Sequence, residues 1–289
     1  MNVDVVLLLY NRPDHTKRVI DSLFENNVEN ISVFIDYPKT DDDSKKQDSI
    51  YDVINRYDKN AINLIKRTNN IGLARSVRSA MNHSFSHGAD AAILLEDDCV
   101  LKKGGFDFFK EGLIELKDNK QIRSLCGYTF PSLNFIFEPD SDVLLLSRFS
   151  TWGWATWADR WEQYETDLKK LVQFAEMARL RIDDFAEDIA QLCKSPKYLN
   201  GEVDIWSINW ILLHYLTSTF AAYPREAVIE NIGLDGSGLN CEVTDVFDGA
   251  SNHEFINEYN WKKLQYYPEN ETIIRNFMAE NGLKTYPKP

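Results

Sequence analysis

Apolar and polar positions change their period several times along this chain, and each change marks an element. Val3–Leu9 is an apolar run, the pattern of a strand buried on both faces of a parallel sheet. A turn with Asn11 and Pro13 follows, then a helix with Val19, Ile20, Leu23 and Phe24 on one face. Ile31–Ile35 predicts a second strand that ends in Asp36. Asp41-Asp42-Asp43 opens a helical segment carrying Ile50, Val53, Ile54 and Tyr57, and carboxylates suit a helix's first turn. Ala61–Ile65 predicts a third strand, and Asn69-Asn70-Ile71-Gly72 the turn after it. Leu73, Val77, Ala80, Met81 and Phe85 mark the next helix face. Ala91–Leu95 is a fourth strand that runs straight into Glu96-Asp97-Asp98. A helix with Phe106, Phe109, Leu113 and Leu116 and a strand near Ile122–Cys126 complete this half. Strands alternating with helices at this spacing imply βαβ units and a mostly parallel sheet.

The second half reads differently. Val143–Leu146 predicts a strand, and Trp152-Gly153-Trp154-Ala155-Thr156-Trp157 follows, with Trp161 close behind. Trp154, Trp157 and Trp161 have helical spacing, which suits core packing. Leu168 to Leu192 reads as helical, and an amphipathic helix is expected from near Val203 to about Thr217, with Ile205, Ile208, Leu212 and Tyr215 along one face. The tail beyond Ser251 is polar and aromatic. No Gly-, Ser- or Pro-rich linker divides the chain. One α/β domain is expected: an α/β half over 1–130, a half with a helical elaboration over 131–250, and a tail over 251–289 packing on the domain.

Composition narrows the function classes. Of 289 residues, 44% are hydrophobic and 27% charged, as in ordinary globular proteins. Lys and Arg number 32 against 45 Asp and Glu, a formal charge of −13. That balance argues against nucleic acid as the main partner and gives no general attraction to anionic lipid. The opening strand is too short to span a membrane and follows no basic leader. Cys99, Cys126, Cys193 and Cys241 are widely spaced and read as free thiols. A cytosolic protein is expected, free or peripheral at the inner face of the membrane.

The chemistry concentrates at Glu96-Asp97-Asp98. In open α/β sheets ligands sit at the carboxyl ends of strands, and this turn falls at such an end. Three successive carboxylates are costly to desolvate unless a cation neutralises them. Hard oxygen ligands favour Mg²⁺ or Mn²⁺, held by one or two carboxylates plus substrate phosphates. A solvated acidic turn is the plainer alternative.

The run Ile93-Leu94-Leu95-Glu96-Asp97-Asp98-Cys99-Val100 resembles the acidic motif of GT-A glycosyltransferases. It is most similar to the Glu-Asp-Asp form of N-acetylglucosaminyltransferase I and related bacterial sugar transferases. Leu7-Leu8-Leu9-Tyr10-Asn11-Arg12-Pro13 resembles the family's first strand and nucleotide loop. Arg67-Thr68-Asn69-Asn70-Ile71-Gly72-Leu73 resembles the turn before the helix that leads to the acidic strand. Phe149-Ser150-Thr151-Trp152-Gly153-Trp154-Ala155-Thr156-Trp157 resembles the Trp-Gly-Trp-Ala-Thr-Trp signature of bacterial members. The matches run in order from residue 7 to about residue 240.

The resemblance implies a GT-A fold: Rossmann-like, with a mostly parallel sheet flanked by helices. It also implies metal-dependent, inverting transfer from a nucleoside-diphosphate sugar, a UDP-sugar above all, to a glycan or lipid-linked saccharide in bacterial surface polysaccharide synthesis. Carried over, Asp98 would bind the metal, Asp97 would lie by the ribose, and Glu96 would face the donor sugar. Tyr10, Asn11 and Arg12 would meet the nucleotide. Asp36 is either an acceptor for a uracil N–H or a turn former after a strand. Arg12 either meets the ligand or pairs with an acid such as Asp14. Gly72 makes the turn before a helix on which Arg75 and Arg78 either face the diphosphate or lie on a solvated face. Trp152 and Gly153 would line the site, with Trp157 and Trp161 in the core.

An inverting transferase needs a carboxylate base on the acceptor side. Asp204, in Gly201-Glu202-Val203-Asp204-Ile205-Trp206, is the candidate, with Glu202 as the neighbour that could displace it and an N-cap as the structural alternative. Asn231 to Cys241 reads as a Gly-rich loop over the donor, with Asn240 where relatives carry His, and with Asp235 or Ser237 as substitutes. Two other readings stay open: a sugar-1-phosphate nucleotidyltransferase, disfavoured by the lack of Gly over residues 9–20, and a non-catalytic sugar-binding scaffold.

Overall fold

The structure is a computed structural model and describes residues 1–130, 133–137, 141–238, 246–247, 259–264 and 266–282. Its elements run β1 (Val3–Leu9), α1 (Pro13–Glu25), β2 (Ile31–Ile35), α2 (Asp41–Ile54), β3 (Ile62–Lys66), α3 (Leu73–Ser86), β4 (Ala91–Glu96), β5 (Cys99–Leu101), α4 (Gly105–Glu115) and β6 (Ile122–Cys126). They continue with β7 (Val143–Leu146), β8 (Trp154–Trp157), α5 (Ala158–Trp161), α6 (Leu168–Met177), α7 (Ile182–Phe185), α8 (Glu187–Lys194), α9 (Pro196–Leu199), α10 (Trp206–Leu216), β9 (Phe220–Pro224), β10 (Ile229–Asn231) and α11 (Pro268–Asn281).

A strand with neighbours on both sides and helices on both faces needs no polar stripe, which is why β1 and β4 read as apolar runs. β1 pairs in parallel with β2 and with β4, and β2 with β3. Among the described residues the main sheet has the order β3-β2-β1-β4-β8-β6-β9-β7. β8 is antiparallel to β4 and β6, β7 is antiparallel to β9, and β6 and β9 are parallel. β5 and β10 form a separate antiparallel pair. Helix α3 packs on β1 and β4, α4 on β6 and β8, and α10 bridges α3 and α6. This is the expected mixed α/β layout, a central sheet flanked by helices with a further helical region, and it matches a GT-A-like architecture.

The second half departs from its sequence pattern in four places. Trp154 and Trp157 belong to a strand, β8, and not to a helix; Trp161 ends the short α5 that follows. All four β8 residues are buried, so no alternation announces the strand. The stretch from Leu168 to Leu192 is broken into α6, α7 and α8, and Arg179 between them has φ of 58°. α10 begins at Trp206, not Val203, and is buried on nearly all sides rather than amphipathic. Its apolar residues run all the way round, the composition of a core helix. The tail contributes α11, which packs on α8.

Candidate donor and acceptor site

The chain leaves β1 toward β2 on one side, while β4 lies on the other, so the carboxyl ends of β1 and β4 flank a topological switch point. Three strand ends deliver polar residues there: Tyr10, Asn11 and Arg12 after β1, Asp36 after β2, and Glu96, Asp97 and Asp98 from β4. All line one cavity of about 400 Å³, together with Gly72, Trp152 and Asp204.

Arg12 is the cation that pairs with the acidic turn. Its Nη2 donates to Asp97 Oδ1 and, at 2.8 Å, to Asp98 Oδ2. Its Nη1 is buried and has no hydrogen-bond partner among the described residues. Arg12 pairs with these acids and not with Asp14. One guanidinium does not satisfy three carboxylates. Burial, then the charges of Asp98 and Asp97, push Glu96 from 4.5 up to about 8, against the pull of Arg12. Burial raises Asp97 more than Arg12 lowers it.

Asp98 is also held from the far side of the chain. The β5–β10 pairing sets Asn231 opposite Cys99, and Ile232 N–H donates to Asp98 O at 2.9 Å. A Cβ on Gly233 would collide with the Asp98 carboxylate, so glycine is what lets the backbone approach. His15 Nε2 lies 3.1 Å from Ile232 O and 3.3 Å from Asp235 Oδ2. Ser237 lines the cavity, while Asp235 is engaged by His15 and by the Ser237 N–H. Neither β5 nor β10 has a readable sequence pattern, at three residues each. The expected role of Asn240 lies outside the described residues.

The loop after β1 is organised by Asp43. Tyr10 Oη donates to Asp43 Oδ2 at 3.0 Å, and Asn11 Nδ2 to Asp43 Oδ1 at 2.6 Å. Asp43 also forms a capping box with Thr40 at the start of α2. Burial raises this carboxyl, but the hydrogen bonds from Asn11, Thr40 and Tyr10 prevail and bring it to about 2. The sequence marked Asp43 as a first-turn acid; its second role needed the fold. Asp36 accepts from the N–H groups of Tyr37, Ile71 and Gly72 at 2.9–3.0 Å. It therefore pins the turn before α3, where Gly72 has φ of 76°, and still lines the cavity.

Other expected residues fall away from the cavity. Arg75 is exposed and off its lining. Arg78 faces Asp204 and not the diphosphate side, through two hydrogen bonds, one of them 2.9 Å from Nη1 to Oδ1. Gly153 lies beneath the site: φ is 65°, and a Cβ there would meet Ile229 Cγ1 at 2.5 Å. Trp157 and Trp161 are core. Asp204 precedes Ile205, the N-cap of α10, so it neither opens nor caps that helix. Glu202 is exposed and off the cavity lining.

Among the described residues no group of three or more His, Cys, Asp or Glu side chains is arranged to hold a metal ion. The donor set nevertheless fits a hard divalent cation that takes one or two carboxylates and completes its shell with phosphate oxygens. Burial raises Glu96 first, and the charges of Asp98 and Asp97 raise it further against the pull of Arg12. Cys99, Cys126 and Cys193 are free and buried. No helix among the described residues is long and apolar enough to cross a membrane.

No protein-family model and no curated protein matches the chain. Similar solved structures include the mannosyltransferase PcManGT from Pyrobaculum calidifontis in complex with GDP-Man and Mn²⁺. The identity is 12%, the TM-score 0.40, and the match covers 55% of this chain and 45% of that one. GalNAc-T7 with UDP, GalNAc and Mn²⁺ matches at 9% identity and a TM-score of 0.44, over 78% of this chain and 42% of that one. A cytidylyltransferase from Leptospira borgpetersenii serovar Hardjo-bovis matches at 13% and 0.34, over 59% and 64%. The chain thus spans less than two thirds of the length of each. Likenesses of this size carry nothing about this chain's chemistry.

Proposed function

We propose that this chain is a glycosyltransferase that moves a sugar from a nucleoside-diphosphate sugar, a UDP-sugar, to a hydroxyl of a glycan or lipid-linked saccharide, with inversion. The observation that carries the reading is the meeting of Arg12, Asp97 and Asp98 at the switch point, one buried guanidinium nitrogen left unpartnered, in a cavity that Asp204 also lines. A buried cation with an unused donor suits the oxygens of a diphosphate.

Tyr10, Asn11 and Asp36 hold the nucleoside end, Asp97 lies by the ribose, and Glu96 faces the donor sugar. Arg12 Nη1 would donate to a diphosphate oxygen while Nη2 stays on Asp97 and Asp98. Asp98 is the residue that would hold Mn²⁺ or Mg²⁺, and such an ion, when bound, supplies positive charge to the leaving group. Asp204 accepts the proton of the acceptor hydroxyl as its oxygen bonds to the anomeric carbon. The bond from that carbon to the diphosphate oxygen breaks, and UDP departs with the electron pair. Residues 1–130 would carry the donor and 131–250 the acceptor side, in the cytosol or at the inner face of a membrane, for surface polysaccharide synthesis.

The test is UDP release from UDP-glucose, UDP-galactose, UDP-N-acetylglucosamine and UDP-N-acetylgalactosamine with MnCl₂, beside UDP binding by calorimetry. Asp98→Ala is expected to weaken Mn²⁺-dependent UDP binding more than about tenfold, the effect of losing one charged contact. Asp204→Asn is expected to lower UDP release about 100-fold with UDP affinity unchanged. A wild-type protein that binds none of these donors sinks the reading.

A further inference from the structure

We infer that Arg78 is a positioning residue for the acceptor side: its guanidinium fixes the carboxylate plane of Asp204. This rests on Asp204 as the base. Asp204 sits on a loop between α9 and α10, outside any helix, and its side chain is 40% exposed. Nothing about that loop orients a carboxylate by itself. Arg78, on α3 and only 17% exposed, supplies the orientation by donating Nη1 to Oδ1 and Nη2 to Oδ2. A planar fork on both oxygens sets the plane and leaves each oxygen a further lone pair.

The fork is itself held. Tyr164 acts electrostatically on Arg78, its hydroxyl donates to Trp206 O at 2.9 Å, and its ring stacks on Trp161 at 4.7 Å. Tyr164 is thereby tied to the backbone two residues beyond Asp204, and α10, which begins there, packs on α3. Arg78 does not line the cavity, so it acts through Asp204 and not on the donor. As a stability device the pair would be weak, since a half-exposed ion pair contributes little and α3 is already packed on β1 and β4. Its value is geometric, because small misplacement of a reacting group can cost about 100-fold in rate.

The experiment compares wild type, Arg78→Ala, Arg78→Lys, Asp204→Ala and the double variant Arg78→Ala/Asp204→Ala. Hydrogen exchange of residues 200–206 is followed by mass spectrometry. UDP release from the fastest of the four UDP-sugars and UDP affinity with Mn²⁺ are measured alongside. Arg78→Ala is expected to speed exchange at 200–206 and to lower kcat about 10- to 100-fold. UDP affinity should stay within twofold, Arg78→Lys should recover part of the rate, and the double variant should be no slower than Asp204→Ala. Unchanged exchange at 200–206, a tenfold loss of UDP affinity, or additive losses in the double variant each overturn the positioning role. A full rate in Asp204→Ala instead overturns the base assignment, and the inference with it.

Discussion

Glu96 registers burial and neighbouring negative charge together at the switch point. In the folded chain its carboxyl is raised from 4.5 to about 8, first by burial and then by Asp98 and Asp97. A carboxyl raised on folding contributes fully below its unfolded value, and that contribution is lost as pH rises through the folded one. The window here is pH 4.5 to 8. At about 1.4 kcal/mol per pH unit the whole gap corresponds to roughly 5 kcal/mol. Asp97 shares the burial and the repulsion, so replacing Glu96 alone recovers less, about 2 kcal/mol. For a chain of this size that is about 5 °C in Tm.

Glu96→Gln keeps the shape and removes the charge. Thermal melts in EDTA from pH 5 to 9 are expected to coincide for the two proteins at pH 5 and to separate as pH rises. The variant should melt about 5 °C higher at pH 8.5. Adding MnCl₂ should narrow that gap, because a dication at Asp98 relieves the same repulsion. Melting curves that stay parallel across the whole range, or a variant less stable at pH 8.5, would refute the charge surplus.

Three further changes probe how the site is supported. Gly153→Ala sets a Cβ against Ile229 Cγ1 at 2.5 Å and Cδ1 at 2.7 Å with φ of 65°, and should lower unfolding free energy in urea by about 2–4 kcal/mol. Asp188→Ala strips the bidentate partner of Arg148, whose contacts at 2.9 and 2.7 Å are buried, and should cost about 3–5 kcal/mol; the double variant with Arg148→Met should regain much of it. Asp43→Ala removes the acceptor of Tyr10, Asn11 and Thr40, and should cost about 1–2 kcal/mol of cap stability while weakening UDP binding measured by calorimetry. Because Asp43 is lowered to about 2, its contribution is present above its ordinary 3.8 and lost as pH falls toward 2, so acid unfolding should begin at higher pH in the variant.

The first half of the fold was legible because its strands are apolar runs and its helices have clean faces. β1, β2 and β6 fall on the expected residues, and β3 and β4 differ by a residue at their ends. In the second half β7 also falls on its expected residues, but β8 and α10 were not legible in the same way, for reasons of burial. β8 is enclosed between β4 and β6, and α10 is enclosed between α3 and α6, so neither shows the alternation or stripe that one wet face produces. The site was legible as a set of residue types at strand ends, but not as a set of partners. Nothing in Asp43 separates a cap from a hub for Tyr10 and Asn11, and nothing in Arg78 separates a phosphate ligand from a clamp on Asp204.

Arg12 shows why partners escape a linear reading and how topology supplies them. It stands 86 residues from Asp98, with no local signal joining them. The pairing follows once β1 and β4 are neighbours in parallel, with Leu8 opposite Glu96, because both chains then exit on the same edge of the sheet. Residues just past Leu8 and just past Glu96 must share one small volume. Three carboxylates and one guanidinium in that volume leave a negative excess, which adds to burial in raising Glu96. The proposed nucleoside-diphosphate donor would bring further negative charge to the same place, where Arg12 is already engaged by Asp97 and Asp98. A proton on Glu96 would relieve part of the excess, and a divalent cation at Asp98 would relieve more. On the proposed reading, donor affinity would therefore depend on a second cation by charge balance.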